Sequence, residues 1–188
     1  MKLNKTLQKI LKNSECWFLE RLDYLGASLI VEMVEGCVSS VSEDVTIDGA
    51  GIIPDARAVE VTEQSKRVRI EFSKVLAYQV IDESYYVSQS SNKLEELAGP
   101  VLCQQTGSDY IEHLKQISLV NDLIDDPIHH YALNLADDII DVISTTEQVL
   151  SCGTHQKAPN HDHTRKHVVH RPAQSHRRTF RPNQLGSP

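Results

Sequence analysis

Two short segments hold most of the residues able to do chemistry. Asp82 and Glu83 stand in IDESYY, and Asp137, Asp138 and Asp141 stand in LADDIIDV, with His129 and His130 shortly before. If the two segments pair in one sheet, these carboxylates could converge with His129 or His130. Such a cluster could bind a divalent cation through oxygen ligands or run acid–base chemistry. The same residues also suit strand ends, where carboxylates accept backbone N–H bonds in turns and solvate the rim. No HxxxH or HExxH spacing defines a ligand set, so the sequence assigns no metal ligand, no cofactor and no catalytic residue. Asp141 stands apart because apolar neighbours flank it. It either faces solvent from a half-covered strand or is a buried acid that needs a partner.

Tyr78, Tyr85, Tyr86 and Tyr131 lie in the same two segments. Tyrosines beside acids make a good protein-binding surface, with large contact area at small entropic cost. Tyr78 and Tyr131 fall on the apolar parity of their strands and read as core. Adjacent Tyr85 and Tyr86 must point oppositely in a strand, which leaves one exposed. The partner-binding or ligand candidates are therefore Asp82, Glu83, Tyr85, Tyr86, His130, Asp137, Asp138 and Asp141. Nucleophilic catalysis has less support. Ser84 lacks the tight glycine turn that exposes a nucleophile in GxSxG enzymes. Cys16, Cys37 and Cys103 stand apart from any histidine, and Cys152 precedes His155 only at the start of a polar tail.

The elements that must position these residues follow from hydrophobic periodicity. Residues 4–24 read as an amphipathic helix, with Leu3, Leu7, Ile10, Leu11, Trp17, Phe18 and Leu22 on one face, Asn4 as cap and Gly26 as stop. From Ala27 the period becomes two, giving a strand that ends near Gly36. Residues 37–57 read as a long loop with a short strand at 45–47, followed by a strand at Val59 and Val61. The stretch 67–82 alternates throughout, with a bend or bulge expected at Ser73–Lys74. Residues 88–96 read as a rim loop and Leu102–Cys103 as a short strand. A helix over 108–118 is capped by Ser108, and 121–127 is a turn-rich link. Strands at 131–135 and 139–143 close the pattern. The fold class is α+β: a mostly antiparallel sheet, an N-terminal amphipathic helix, a second short helix and a disordered tail.

Charge divides the chain. Residues 1–152 carry 12 Lys/Arg against 25 Asp/Glu, whereas 153–188 carry 7 against the single Asp162, with six of the nine histidines. The expected organisation is one acidic domain over 1–152 and a basic, His-rich tail over 153–188, either a disordered appendage or a non-native extension. An acidic body repels phosphate backbones, so nucleic acid is expected to touch only the tail. No stretch approaches the ~20 apolar residues that span a bilayer, no secretory signal is legible, and a cytoplasmic protein with reduced thiols is expected.

VLAYQVIDESYYV at 75–87 and HYALNLADDIIDVIS at 130–144, with TGSDYIEHLKQ at 106–116 between them, resemble a family of small bacterial hypothetical proteins. That family carries an AYxVxDESY strand and a closing HY…DDxIDVxS segment. The resemblance covers roughly residues 67–146 and implies a domain outline and a bacterial source, with no activity attached. Three functions remain open on sequence grounds. The first is a protein-interaction module, of a toxin-immunity kind, whose acidic surface meets a basic protein partner. The second is a metal-dependent enzyme or ligand-binding domain built on the Asp/Glu/His cluster. The third is a nucleic-acid accessory acting through the tail.

Overall fold

The computed structural model describes residues 5–14, 16–49, 51–87, 93–146 and 149–151. Leu7 and Leu11, four residues apart on helix α1 (Lys5–Lys12), are fully buried. Eight residues are too few for an isolated helix in water, so this packing is what holds α1. Its Gln8 Nε2 also donates to the Leu97 carbonyl at 3.1 Å.

The chain then leaves the helix for strand β1 (Trp17–Leu25), not for a continued helix to residue 24. The reason for the difference is visible in the register with β2 (Ser28–Glu35). A bulge between Leu19 and Arg21 adds one residue, so Trp17, Leu19 and Leu22 all face the core. Steps of two and then three imitate a helical period. Gly26 is not a helix stop. With Ala27 it forms the two-residue β1–β2 turn, both at positive φ (54° and 68°), the geometry of a type I′ hairpin.

β3 (Cys37–Ile47) and β4 (Gly51–Glu60) form a two-stranded sheet of their own where a long loop was expected. Both faces of this hairpin meet solvent, so polar residues occupy both parities and no alternation marks the strands. Gly49 and Gly51 mark its tip, and Pro54 sits beside an irregularity in the pairing, where its missing N–H is tolerated.

The expected break at Ser73–Lys74 is present and separates two sheets. β5 (Arg67–Phe72) joins β1, β2 and β11 (Val149–Ser151) in the order β1-β2-β5-β11. After Lys74, at φ 48°, β6 (Val75–Asp82) enters a second sheet, in the order β6, β10 (Asp138–Ser144), β9 (His129–Asn134), β8 (Leu102–Thr106), β7 (Lys93–Ala98). The corner is pinned by Val75 N–H to the Ala27 carbonyl and by the Ser144 and Thr146 hydroxyls to the Ser73 carbonyl. The strands of this second sheet are all antiparallel to their neighbours. β7 begins inside the stretch 88–96 expected to be loop.

The two sheets pack face to face. Leu29, Val31, Met33, Val68, Ile70 and Phe72 of the first meet Leu102, Tyr131, Leu133, Ile140 and Val142 of the second. Phe72 and Tyr131 touch across the layer, ring centroids 5.7 Å apart. Tyr131 is thus core, as expected. Tyr78 is not: β6 is an edge strand, and Tyr78 is 37% exposed against Tyr24. Helix α2 (Asp109–Ile117) covers the opposite face of the second sheet through Ser108 and Tyr110, and the short helix α3 (Val120–Leu123) follows it within the expected link. The fold is α+β with mostly antiparallel sheets. The expected tail, 153–188, lies outside the described residues.

Candidate functional site

The helix-covered face of the second sheet carries polar residues where an apolar layer would be the default. On β10 the even positions Ile140 and Val142 serve the core, so odd Asp141 points to α2. On β9, His130 pairs in register with Ile143 and shares that outer face. Its Nε2 lies 2.9 Å from Asp141 Oδ1, with both side chains almost completely buried. Its Nδ1 lies 2.6 Å from Ser108 Oγ. The other Asp141 oxygen accepts from Gln79 Nε2 at 2.8 Å. Asp141 is therefore the buried acid with partners, not the solvent-facing one.

One direction follows from what the atoms can do. The Asp141 carboxylate only accepts, so His130 Nε2–H donates to it. In the neutral imidazole Nδ1 is then an acceptor, and the Ser108 hydroxyl donates to it while Oγ also accepts the Ile111 N–H at 3.1 Å as the cap of α2. Tyr110 lies edge-on to the His130 ring at 5.8 Å. Burial pushes the Tyr86 hydroxyl up from the ordinary tyrosine value, and the Asp141 charge adds to this, against a hydrogen bond with Gln105. Tyr110 is raised by burial and then by Asp141.

The other predicted site residues do not join this group. Asp82 and Asp138 face each other across the β6–β10 pair, on the parity opposite to Asp141. Asp82 Oδ1 accepts the Ser84 N–H and opens a 3-10 turn over Glu83–Tyr85, and Glu83 N–H donates to the Asp137 carbonyl. The sheet thus does pair the two segments, yet it places His130 with Asp141 and leaves Asp82, Glu83, Asp137 and Asp138 to the strand ends. Among the described residues, no group of three or more His, Cys, Asp or Glu side chains is arranged to hold a metal ion. Tyr85 is 80% exposed while neighbouring Tyr86 turns inward.

Comparison of the chain with protein-family models, with curated proteins and with solved structures finds no match.

A second feature escaped the sequence: the β3–β4 arm. Among the described residues it pairs with no other strand, and none of its own is buried. Val38, Val41 and Ile52 are exposed along it. Glu43, Asp44, Asp48, Asp55 and Glu60 stand against the single Arg57, a net charge of −4 over 37–60. Its root is built tightly. Gly36 leaves no space for a side chain, since an added Cβ would lie 2.6 Å from both Phe18 Cε2 and Val59 Cγ1. Lys66 Nζ and backbone N–H both donate to the Glu35 carboxylate. Burial alone would raise that carboxyl, but the bonds from Lys66 and Ser14 bring it below the ordinary value. Ser65 Oγ accepts the Thr62 N–H and touches Cys37 Sγ at 3.8 Å. The root is thus closely packed and the ribbon above it is exposed and acidic. Its sequence signals are slight: the short strand read at 45–47 lies in β3, Val59 lies in β4, and the glycines at 49 and 51 stand between them.

Proposed function

We propose that this chain is a protein-interaction module that presents the β3–β4 arm to a basic protein partner. The arm carries the reading. An isolated two-stranded hairpin is marginally stable in water, and this one supplies nothing to the protein's own core. Its open edges can accept a further strand, its exposed Val38, Val41 and Ile52 supply apolar contact, and its charge steers a cationic surface toward it. The strongly acidic sequence of residues 1–152 extends the same attraction beyond the arm.

In this reading the protein acts in the bacterial cytoplasm and neutralises a basic partner in the manner of a toxin-immunity protein. The resemblance of residues 67–146 to small bacterial proteins and the reduced thiols expected of the chain support that setting. Among the described residues no helix is long and apolar enough to cross a membrane. The test reverses charge at the exposed positions Glu43, Asp48 and Glu60 together (each →Lys) in the full chain. Affinity capture from the native host at low salt should recover a basic protein with the natural chain and lose it with the reversed arm. Equal recovery by both chains would remove the arm from the account.

A further inference from the structure

We propose that Ser108 is a nucleophile, activated by His130 and Asp141, that takes the acyl group of small esters bound beside α2. This centre is independent of the arm and of the partner proposed for it.

Three observations converge on Ser108. The first is the turn that presents it. β8 ends at Thr106, Gly107 adopts φ 74°, and α2 begins at Asp109. The hydroxyl therefore sits at a tight strand-to-helix turn, the place in the chain where esterases carry their nucleophilic serine, although Ser108 itself has extended backbone and is only 4% exposed. The second is the hydrogen-bond chain. Ser108 Oγ, the His130 ring and Asp141 stand in line at 2.6 and 2.9 Å, and Gln79 holds the far carboxylate oxygen. With Nε2–H committed to the carboxylate, the neutral imidazole offers Nδ1 as an acceptor and the serine proton points at it. The imidazole then has a free base on the hydroxyl side and a proton fixed on the carboxylate side, the division of roles that activates serine. The two ring nitrogens are exchanged relative to trypsin-like enzymes, but the logic of base and orienter is the same.

The third is a cleft beside the hydroxyl. Ser108 is only 4% exposed, yet with Gly107 it lines the floor of a surface cleft of about 390 Å³. Ile111, Ile124 and Ile128 share the cleft with Glu112, Lys115, Asn121 and Asp126, so its mainly polar lining suits a small ester with a short acyl group and a polar alcohol part. In the reaction Oγ attacks the carbonyl carbon as its proton passes to Nδ1. The tetrahedral oxyanion forms next to the Asp109 and Tyr110 amides, first-turn N–H groups that a helix leaves without carbonyl partners. The C–O bond to the alcohol breaks, and that alcohol departs with the proton from Nδ1. Water then cleaves the acyl-serine by the same steps, releasing the acid and restoring the hydroxyl. Asp141 keeps its charge throughout.

The experiment treats the full chain with a fluorophosphonate probe and with p-nitrophenyl acetate, reading adduct position by peptide mass and nitrophenol release by absorbance. One adduct on Ser108 is expected. Ser108→Asn keeps a capping acceptor for α2 and should abolish it. His130→Gln or Asp141→Asn should slow it about 100-fold or more, the size of a general-base contribution. Circular dichroism establishes that each variant is folded at the assay temperature, and Asp141→Asn stands in for His130→Gln if the latter is not. No adduct on Ser108 of the folded natural chain would overturn the proposal. So would an adduct whose rate is unchanged in a folded His130 or Asp141 variant.

Discussion

Removing the Asp141 carboxylate should cost this fold a large share of its stability. In Asp141→Ala, His130 Nε2–H and the Gln79 amide each lose their acceptor, in a site where His130 and Asp141 are both 3% exposed. A buried donor left unpaired costs about 1–3 kcal/mol. Gln79 is only partly buried and water can compensate it, so His130 carries the larger share. The two unpaired neutral donors together come to about 2–4 kcal/mol. At roughly 2–4 °C per kcal/mol for a protein of this size, the midpoint should fall by about 4–16 °C. Urea unfolding followed through the single, fully buried Trp17 measures the loss at equilibrium. A His130→Ala, Asp141→Ala cycle isolates the pair, and the double variant should cost about 2 kcal/mol less than the two single losses added together. A loss below ~1 kcal/mol for Asp141→Ala, or strict additivity in the cycle, would refute the closed network.

Three further outcomes follow from other parts of the molecule. Gly36→Ala forces a methyl to within 2.6 Å of Phe18 and Val59, and should destabilise by about 1–3 kcal/mol, read by urea midpoint, with faster proteolysis inside 37–60. Ala27 occupies the left-handed region at φ 68°, where a Cβ costs roughly 1 kcal/mol or more, so Ala27→Gly should raise the midpoint in the same assay. Tyr86 and Tyr110 hold their protons more tightly when folded. As pH rises through the ordinary tyrosine range, near 10, the unfolded chain releases protons that the folded chain retains, so stability falls there and is unaffected below it. Tyr86→Phe and Tyr110→Phe should each flatten that alkaline fall, measured by urea midpoint against pH.

Much of the second sheet was legible because one of its faces meets a uniform apolar core. β9 and β10 alternate cleanly enough that the partners of Asp141 became a definite question. What stayed hidden was set by contacts far apart in sequence. Ser108 reads only as a helix cap, and nothing local shows that its second bond reaches His130, 22 residues away. The bulge near Glu20 turned a strand into an apparent helix by shifting parity once. The arm was illegible for the opposite reason. With neither face buried, hydrophobic patterning exerts little constraint, and only fragments of the hairpin, 45–47, Val59 and the glycines at its tip, are readable.

On the proposed function, the β3–β4 arm is the surface that meets a basic protein partner, and binding must then depend on the arm. The natural full chain and the Glu43, Asp48 and Glu60→Lys variant, both folded by circular dichroism, are each used to capture protein from the native host at low and at high salt. A basic protein should be held by the natural chain at low salt, released as salt screens the charges, and absent from the variant. The same protein bound equally by both chains, or no protein whose capture depends on the arm, would contradict it.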